Sequence, residues 1–114
     1  MVVDDEAAIR QAYGDLLRKK GYEVETIESG ERALEVIQET GYDLILLDIR
    51  LKGISGIETL QRLRKMKNDI KVIIMSGYIS KSYVEESFRL GAVNCLHKPF
   101  SIETLAQNIH KALC

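Results

Sequence analysis

Apolar positions along this chain follow two alternating rhythms. Met1–Val3 is a short apolar stub that runs into Asp4, Asp5 and Glu6. From Ala7 to Lys20, the residues Ile9, Ala12, Tyr13, Leu16 and Leu17 fall at helical spacing, and Gly21 suits the cap that ends a helix. Glu23–Ile27 (EVETI) alternates polar and apolar as a half-buried edge strand does. Ser29 is an N-cap for a helix that carries Ala33, Leu34 and Ile37 and stops near Gly41. Leu44–Leu47 (LILL) is too short for a helix and does not alternate, which predicts a strand buried on both faces. A helix with Ile57, Leu60, Leu63 and Met66 follows, then a second buried-strand run at Val72–Met75 (VIIM). The next helix holds Val84 and Phe88 and ends at Gly91; Asn94–His97 is the last strand. Ser101 caps a final helix through Ile102, Leu105, Ile109 and Leu113.

The pattern is (βα)5. Strands joined by crossover helices predict an α/β fold with a parallel sheet covered on both faces. In such sheets ligands bind beyond the carboxyl ends of the strands.

Composition narrows the class without changing the fold. The length of 114 residues suits one domain, 1–114. With 46% hydrophobic and 29% charged residues the chain is an ordinary globular one. Sixteen Lys and Arg against 17 Asp and Glu argue against a broad nucleic-acid surface. The basic runs Arg18–Lys20 and Arg62–Lys67 read as solvated helix ends. No apolar run reaches the roughly 20 residues that span a bilayer, so a membrane partner is not expected. Cys95 and Cys114 make neither a disulfide framework nor a zinc pattern, which points to the reducing cytoplasm. His97 and His110 read as solvated or packed side chains, and Cys95 as a small buried residue.

The chemistry collects at the strand ends. Asp4 and Asp5 follow the first strand, Asp48 the third, Ser76 the fourth and Lys98 the fifth. Each has a bland explanation alone; together on one sheet edge they do not. Two carboxylates about 4 Å apart repel by about 1 kcal/mol in water and about 4 kcal/mol at an effective dielectric of 20. Gathered carboxylates therefore call for a cation, and an all-oxygen set without His or Cys favours a hard ion such as Mg²⁺. A carboxylate is also a competent nucleophile for forming an aspartyl-phosphate, with an ammonium and a hydroxyl to hold the phosphoryl oxygens.

The residues VVDDE at Val2–Glu6, LLDIRLKGISG at Leu46–Gly56, IIMSGY at Ile73–Tyr78, and LGA…HKPF between Leu90 and Phe100 complete the picture. With them the whole chain resembles the receiver domain of two-component and phosphorelay response regulators. The resemblance implies a flavodoxin-like three-layer sandwich with sheet order 2-1-3-4-5. It implies Asp48 as phosphoacceptor, Asp5 as a direct Mg²⁺ ligand (Mn²⁺ being an alternative ion), and Asp4 as an acidic partner acting mainly through water. The backbone carbonyl of Arg50 would complete the metal shell, and Ser76 and Lys98 would hold the phosphoryl oxygens. It further implies a cis Lys98–Pro99 bond, and a sensor histidine kinase or histidine phosphotransfer protein as donor. A contact face, for a homodimer among others, would be made by the fourth helix, fifth strand and fifth helix, with Tyr83, Arg89, Gln107 and Lys111 exposed. Ser76, Tyr78 and Cys95 occupy the switch positions.

Two residues depart from the family pattern. Lys52 stands where a proline is usual, and Cys95 stands where an aromatic ring usually rotates. With no ring to turn, switching falls to the Ser76–Tyr78 loop and the helix after it. Arg50 and Tyr78 each lie two residues beyond a site residue and flank the approach to Asp48, which predicts a slowly hydrolysed phosphoprotein. A haloacid-dehalogenase-type phosphatase is the alternative with an aspartate nucleophile, but it needs an acid where Arg50 stands, and a guanidinium has no proton to give. A flavin carrier of similar architecture would not put two aspartates in its phosphate loop.

Overall fold

The two continuous apolar runs form the middle of a five-stranded parallel sheet, ordered β2-β1-β3-β4-β5. The computed structural model describes residues 1–78 and 80–114. In chain order the elements are β1 (Val2–Val3), α1 (Ala7–Lys19), β2 (Thr26–Ile27), α2 (Gly30–Glu39), β3 (Leu44–Asp48), α3 (Gly56–Lys65), β4 (Lys71–Ser76), α4 (Lys81–Arg89), β5 (Asn94–His97) and α5 (Ile102–Leu113). Four helices begin at a serine cap. Ser29, Ser55, Ser80 and Ser101 each accept a hydrogen bond from the backbone N–H three residues on, which satisfies donors a helix start leaves free.

Strand alternation divides the core into two layers. Val3, Ile45, Leu47, Val72 and Ile74 pack with Ala33, Leu34 and Ile37 of α2 and Leu60 and Leu63 of α3. Val2, Leu44, Leu46, Ile73 and Met75 turn to the other face, against Leu17 of α1 and Leu105 and Ile109 of α5. Successive side chains of a strand point to opposite faces, so both faces are filled only because these runs are apolar without a break.

The predicted sheet order holds, with one shortened strand. Only Thr26–Ile27 of Glu23–Ile27 forms a strand, paired with Val2–Val3. The length of an edge strand is set by its neighbour, and β1 has just two residues to offer. Four large residues placed on apolar helix faces are exposed instead: Leu16 at 38%, Met66 at 37%, Phe88 at 47% and Leu113 at 38%. Met66 and Leu113 sit at helix ends, past the reach of the sheet. For Phe88 the cause is the turn of α4 that buries Ser87 completely. Tyr83, Arg89, Gln107 and Lys111 are exposed, as expected.

Two contacts bear on the site. Gly56 donates its N–H to the Ile49 carbonyl at 2.8 Å, and a Cβ at position 56 would collide with the carbonyl oxygen of Asp48. The start of α3 thus lies directly on the backbone of Asp48. At the other end of α3, the Arg64 guanidinium donates to the carbonyls of Leu90 (2.6 Å), Asn68 (2.8 Å), Ile70 (2.9 Å) and Gly91 (3.3 Å). One side chain therefore joins the last turn of α3 to the last turn of α4 and the start of β4.

Candidate functional site

The acidic cluster forms where β1 and β3 stop side by side. Val3 pairs with Leu47, so the next residues, Asp4 just past β1 and Asp48 at the last position of β3, come out side by side at the same edge. Asp4 is fully buried and Asp48 is 5% exposed, while Asp5 is half-buried. Each offers one carboxylate oxygen to a group whose atoms lie within 4.8 Å of one another.

Lys98 arrives from the end of β5. Its backbone N–H bonds the Ser76 carbonyl at 2.7 Å, and the Lys98–Pro99 bond is cis. Its ammonium donates to Asp4 Oδ2 at 2.7 Å and to Asp48 Oδ2 at 3.3 Å. The other oxygens are engaged by backbone: Asp4 Oδ1 accepts from Glu6 N–H at 3.0 Å, and Asp48 Oδ1 from Arg50 N–H at 3.2 Å. Among the described residues, none donates a hydrogen bond to the Asp5 carboxylate.

Burial and charge pull against each other here. Burial pushes the Asp48 carboxyl above its ordinary range; Lys98 draws it back down, and Asp4 pushes it up again. Burial also works against the Lys98 ammonium, but Asp4 and Asp48 together outweigh it, and the group is held protonated above its ordinary range. Three carboxylates against one ammonium leave a net negative pocket that a second cation would neutralise. Ligands at about 2.0–2.1 Å from an octahedral Mg²⁺ are at most about 4.2 Å apart, so oxygens already within 4.8 Å of one another need only a small adjustment to hold one. The donor set fits a hard dication.

Ser76 is brought to the same edge but faces its own loop. Its hydroxyl donates to the Tyr78 carbonyl at 2.9 Å and accepts from Tyr78 N–H at 3.1 Å. The Tyr78 ring is 54% exposed, and the Arg50 guanidinium carbon stands 4.8 Å from its centroid, within cation–π range. Cys95 is turned away from the cluster. Its thiol lies 3.1 Å from Ser87 Oγ, and burial pushes the thiol up while Ser87 tempers the shift. The Ser87 hydroxyl also lies 2.8 Å from the Tyr83 carbonyl and 3.0 Å from the Val84 carbonyl of its own helix, and either the thiol or the hydroxyl can supply the proton between Ser87 and Cys95. His97 and His110 are exposed, as the sequence suggests.

Two neighbours of the site were not legible in the sequence. The Tyr13 ring of α1 stacks on Phe100, centroids 5.5 Å apart and planes 14° from parallel. In the β3–α3 loop, Gly53 has a φ of +78°, and a Cβ there would collide with the Glu31 carboxylate, which accepts from Ile54 N–H at 3.4 Å. Neither contact carries a sequence motif, because each joins residues of ordinary type across distant segments.

A parallel α/β sheet with an Asp–Asp–Asp–Lys cluster beyond its carboxyl edge places its chemistry where ligands bind in such folds. Comparison with known proteins makes the class specific. The family profile described as the response regulator receiver domain matches residues 1–110. Sporulation initiation phosphotransferase F of Bacillus subtilis is 34% identical over 113 residues, 99% of this chain and 91% of the relative. The transcriptional regulatory protein ZraR of Escherichia coli is 36% identical over 113 residues, but the chain spans only 26% of that protein. A CheY-like receiver domain protein from Methanospirillum hungatei superposes with a TM-score of 0.94 at 31% identity, covering 98% of this chain and 90% of the other. The chain belongs to the response regulator receiver domain family of two-component signalling. The dehalogenase-type alternative has no support in these similarities. No helix among the described residues is long and apolar enough to cross a membrane.

Proposed function

We propose that residues 1–114 act as one receiver unit that accepts a phosphoryl group on Asp48 from a phosphohistidine of a sensor histidine kinase or a histidine phosphotransfer protein. The observation that carries this assignment is the Lys98 ammonium bridging Asp4 and Asp48 beside the free carboxylate of Asp5. The ionised Asp48 oxygen attacks phosphorus; the new O–P bond forms as the P–N bond to the donor histidine breaks. Lys98 sits close enough to follow the transferred group, exchanging its 3.3 Å contact with Asp48 for one with a phosphoryl oxygen. The Ser76 hydroxyl reaches a second oxygen once it gives up the Tyr78 carbonyl. Asp5, Asp48 and the Arg50 carbonyl would hold Mg²⁺, or Mn²⁺ in its place, with Asp4 acting through water. When bound, the ion neutralises charge on the phosphoryl oxygens.

Catalysis is confined to the protein's own phosphorylation and dephosphorylation, and a cytoplasmic setting goes with that role. The face of α4, β5 and α5, with exposed Tyr83, Arg89, Gln107 and Lys111, is where a second copy or another protein would respond, with no nucleic acid or membrane contact by this domain. The test is incubation with acetyl phosphate and Mg²⁺, followed by peptide mass spectrometry. The adduct is expected on Asp48 and absent from Asp48→Asn; an adduct elsewhere, or undiminished labelling of the variant, rejects the assignment.

A further inference from the structure

Among the described residues Lys98 is the cation whose side chain bridges the site's carboxylates, and what holds its chain segment in place is the question the site geometry leaves. The backbone N–H of Lys98 belongs to the sheet through its bond to Ser76. Beyond it the chain turns at Pro99, which is exposed. The next side chain, Phe100, is half-buried and packs with Leu105, Ile109 and Tyr13 in the α1–α5 layer. Its ring lies nearly parallel to that of Tyr13 at 5.5 Å, an offset-stacked separation that favours one orientation of both rings. Tyr13 in turn stands on α1, six residues after the loop that carries Asp4 and Asp5. The stack therefore spans the two arms of the acidic site, joining the helix behind the aspartates to the segment behind the lysine. The electrostatics agree with that placement. Burial is the main influence on the Tyr13 hydroxyl, and the charges that act on it are Lys98, Asp4 and Asp48.

We propose that Tyr13 is a positioning residue for Lys98, acting through the face of its ring on Phe100 to hold the ammonium at the carboxylates. The inference rests on the assignment of Lys98 as the phosphoryl contact. It separates from it because the stack's first effect is on the unphosphorylated protein. A lysine ammonium held by Asp4 and Asp48 with its side chain 14% exposed exchanges protons slowly enough to be followed by NMR. An aromatic pair contributes modestly, so breaking it should cost about threefold to tenfold in the maximal rate rather than abolish transfer.

The experiment compares Tyr13→Phe, Tyr13→Leu and Phe100→Leu in the full chain, with the last as a second probe of the stack should Tyr13→Leu fold poorly. The Lys98 ammonium signal is expected to persist in Tyr13→Phe and to broaden in both leucine variants. With acetyl phosphate and Mg²⁺, both leucine variants should lose about threefold to tenfold in maximal rate with the half-saturating donor concentration unchanged. Tyr13→Phe should stay within about twofold of the parent, and the double leucine variant should fall no further than either single one. In a Lys98→Ala background, Tyr13→Leu should have no added effect. The proposal is overturned if Tyr13→Phe falls as far as Tyr13→Leu, if Tyr13→Leu acts equally without Lys98, or if the ammonium signal is unchanged in a folded leucine variant. A parent that is phosphorylated normally when Lys98 is alanine would instead overturn the Lys98 assignment, and the positioning role with it.

Discussion

The acidic cluster beyond β1 and β3 and the thiol–hydroxyl contact between α4 and β5 are both buried polar groups in one small sheet, yet they are satisfied in opposite ways. Asp4, Asp48 and Lys98 come from positions 44 and 50 residues apart in the chain and hold one another with charge. Ser87 and Cys95 are neutral, eight residues apart, and the Ser87 hydroxyl also reaches two carbonyls of its own helix. The first group carries excess negative charge; the second is complete as it stands. Excess unbalanced charge is costly to bury and persists where a ligand or reaction uses it, whereas a satisfied neutral pair serves packing.

The largest effects should come from breaking the charged side. Asp48→Asn should abolish phosphorylation and, without divalent metal, raise stability by about 1 kcal/mol, the scale of a like-charge contact about 4 Å long in water. The sign follows from Asp48 being pushed up by burial, which means the ionised form is disfavoured in the fold. Urea unfolding checks it, and a lower midpoint for the variant would contradict the account of a strained cluster.

Next in size is the shield over the same cluster. Arg50 and Tyr78 stack on one another, and on the proposed phosphorylation of Asp48 they would shield the phosphoryl group from a water attacking in line. Replacing both, as Arg50→Asn/Tyr78→Ala, should speed decay of the labelled protein about tenfold, a barrier change of about 1.4 kcal/mol. Unchanged decay would remove these two residues as the cause of slow hydrolysis.

The neutral side should respond more weakly. Ser87→Ala leaves the Cys95 thiol without its hydrogen-bond partner and should cost about 1 kcal/mol of stability, with a double-mutant cycle against Cys95→Ala giving a coupling under about 1 kcal/mol. A coupling several times larger would mean that the contact bears charge or strain like the acidic cluster. The smallest effect is on pH dependence. Burial raises the Cys95 thiol above its ordinary value of 9.0, so the folded state holds that proton more tightly than the unfolded chain. Its contribution to stability is present below about pH 9 and is lost as pH rises through the raised folded value. Denaturation curves between pH 8 and 10.5 should show this decline in the parent but less of it in Cys95→Ala.

The same contrast explains what could be foreseen from the sequence. Asp4, Asp5, Asp48 and Lys98 were legible because carboxylates and a lysine at strand ends have no good passive use together, and LILL and VIIM fixed which ends those were. β2 was overestimated because alternation at Glu23–Ile27 says nothing about how short its partner is. Phe88 was placed inward because helical spacing weighs a phenyl ring above a hydroxyl. Ser87 took the buried place by bonding to carbonyls of its own helix, an option invisible to periodicity. Ser76 was foreseen at the right edge, but its bonds to Tyr78 depend on loop conformation and not on residue type.

The Arg64 guanidinium gives the molecule a mechanical asymmetry. By gripping the carbonyls of Leu90 and Gly91 it pins the C-terminal end of α4 to α3, whereas the other end adjoins the loop that Ser76 shapes. A rod of nine residues, about 13 Å long, is thus anchored at one tip, and on the proposed switching through Ser76 it would be driven at the other. A swing of about 10° about that pivot moves the driven tip by about 2 Å while leaving Leu90 almost still. Breaking the pivot with Arg64→Ala would turn the lever into a floating rod, which slides when pushed and transmits less of the stroke.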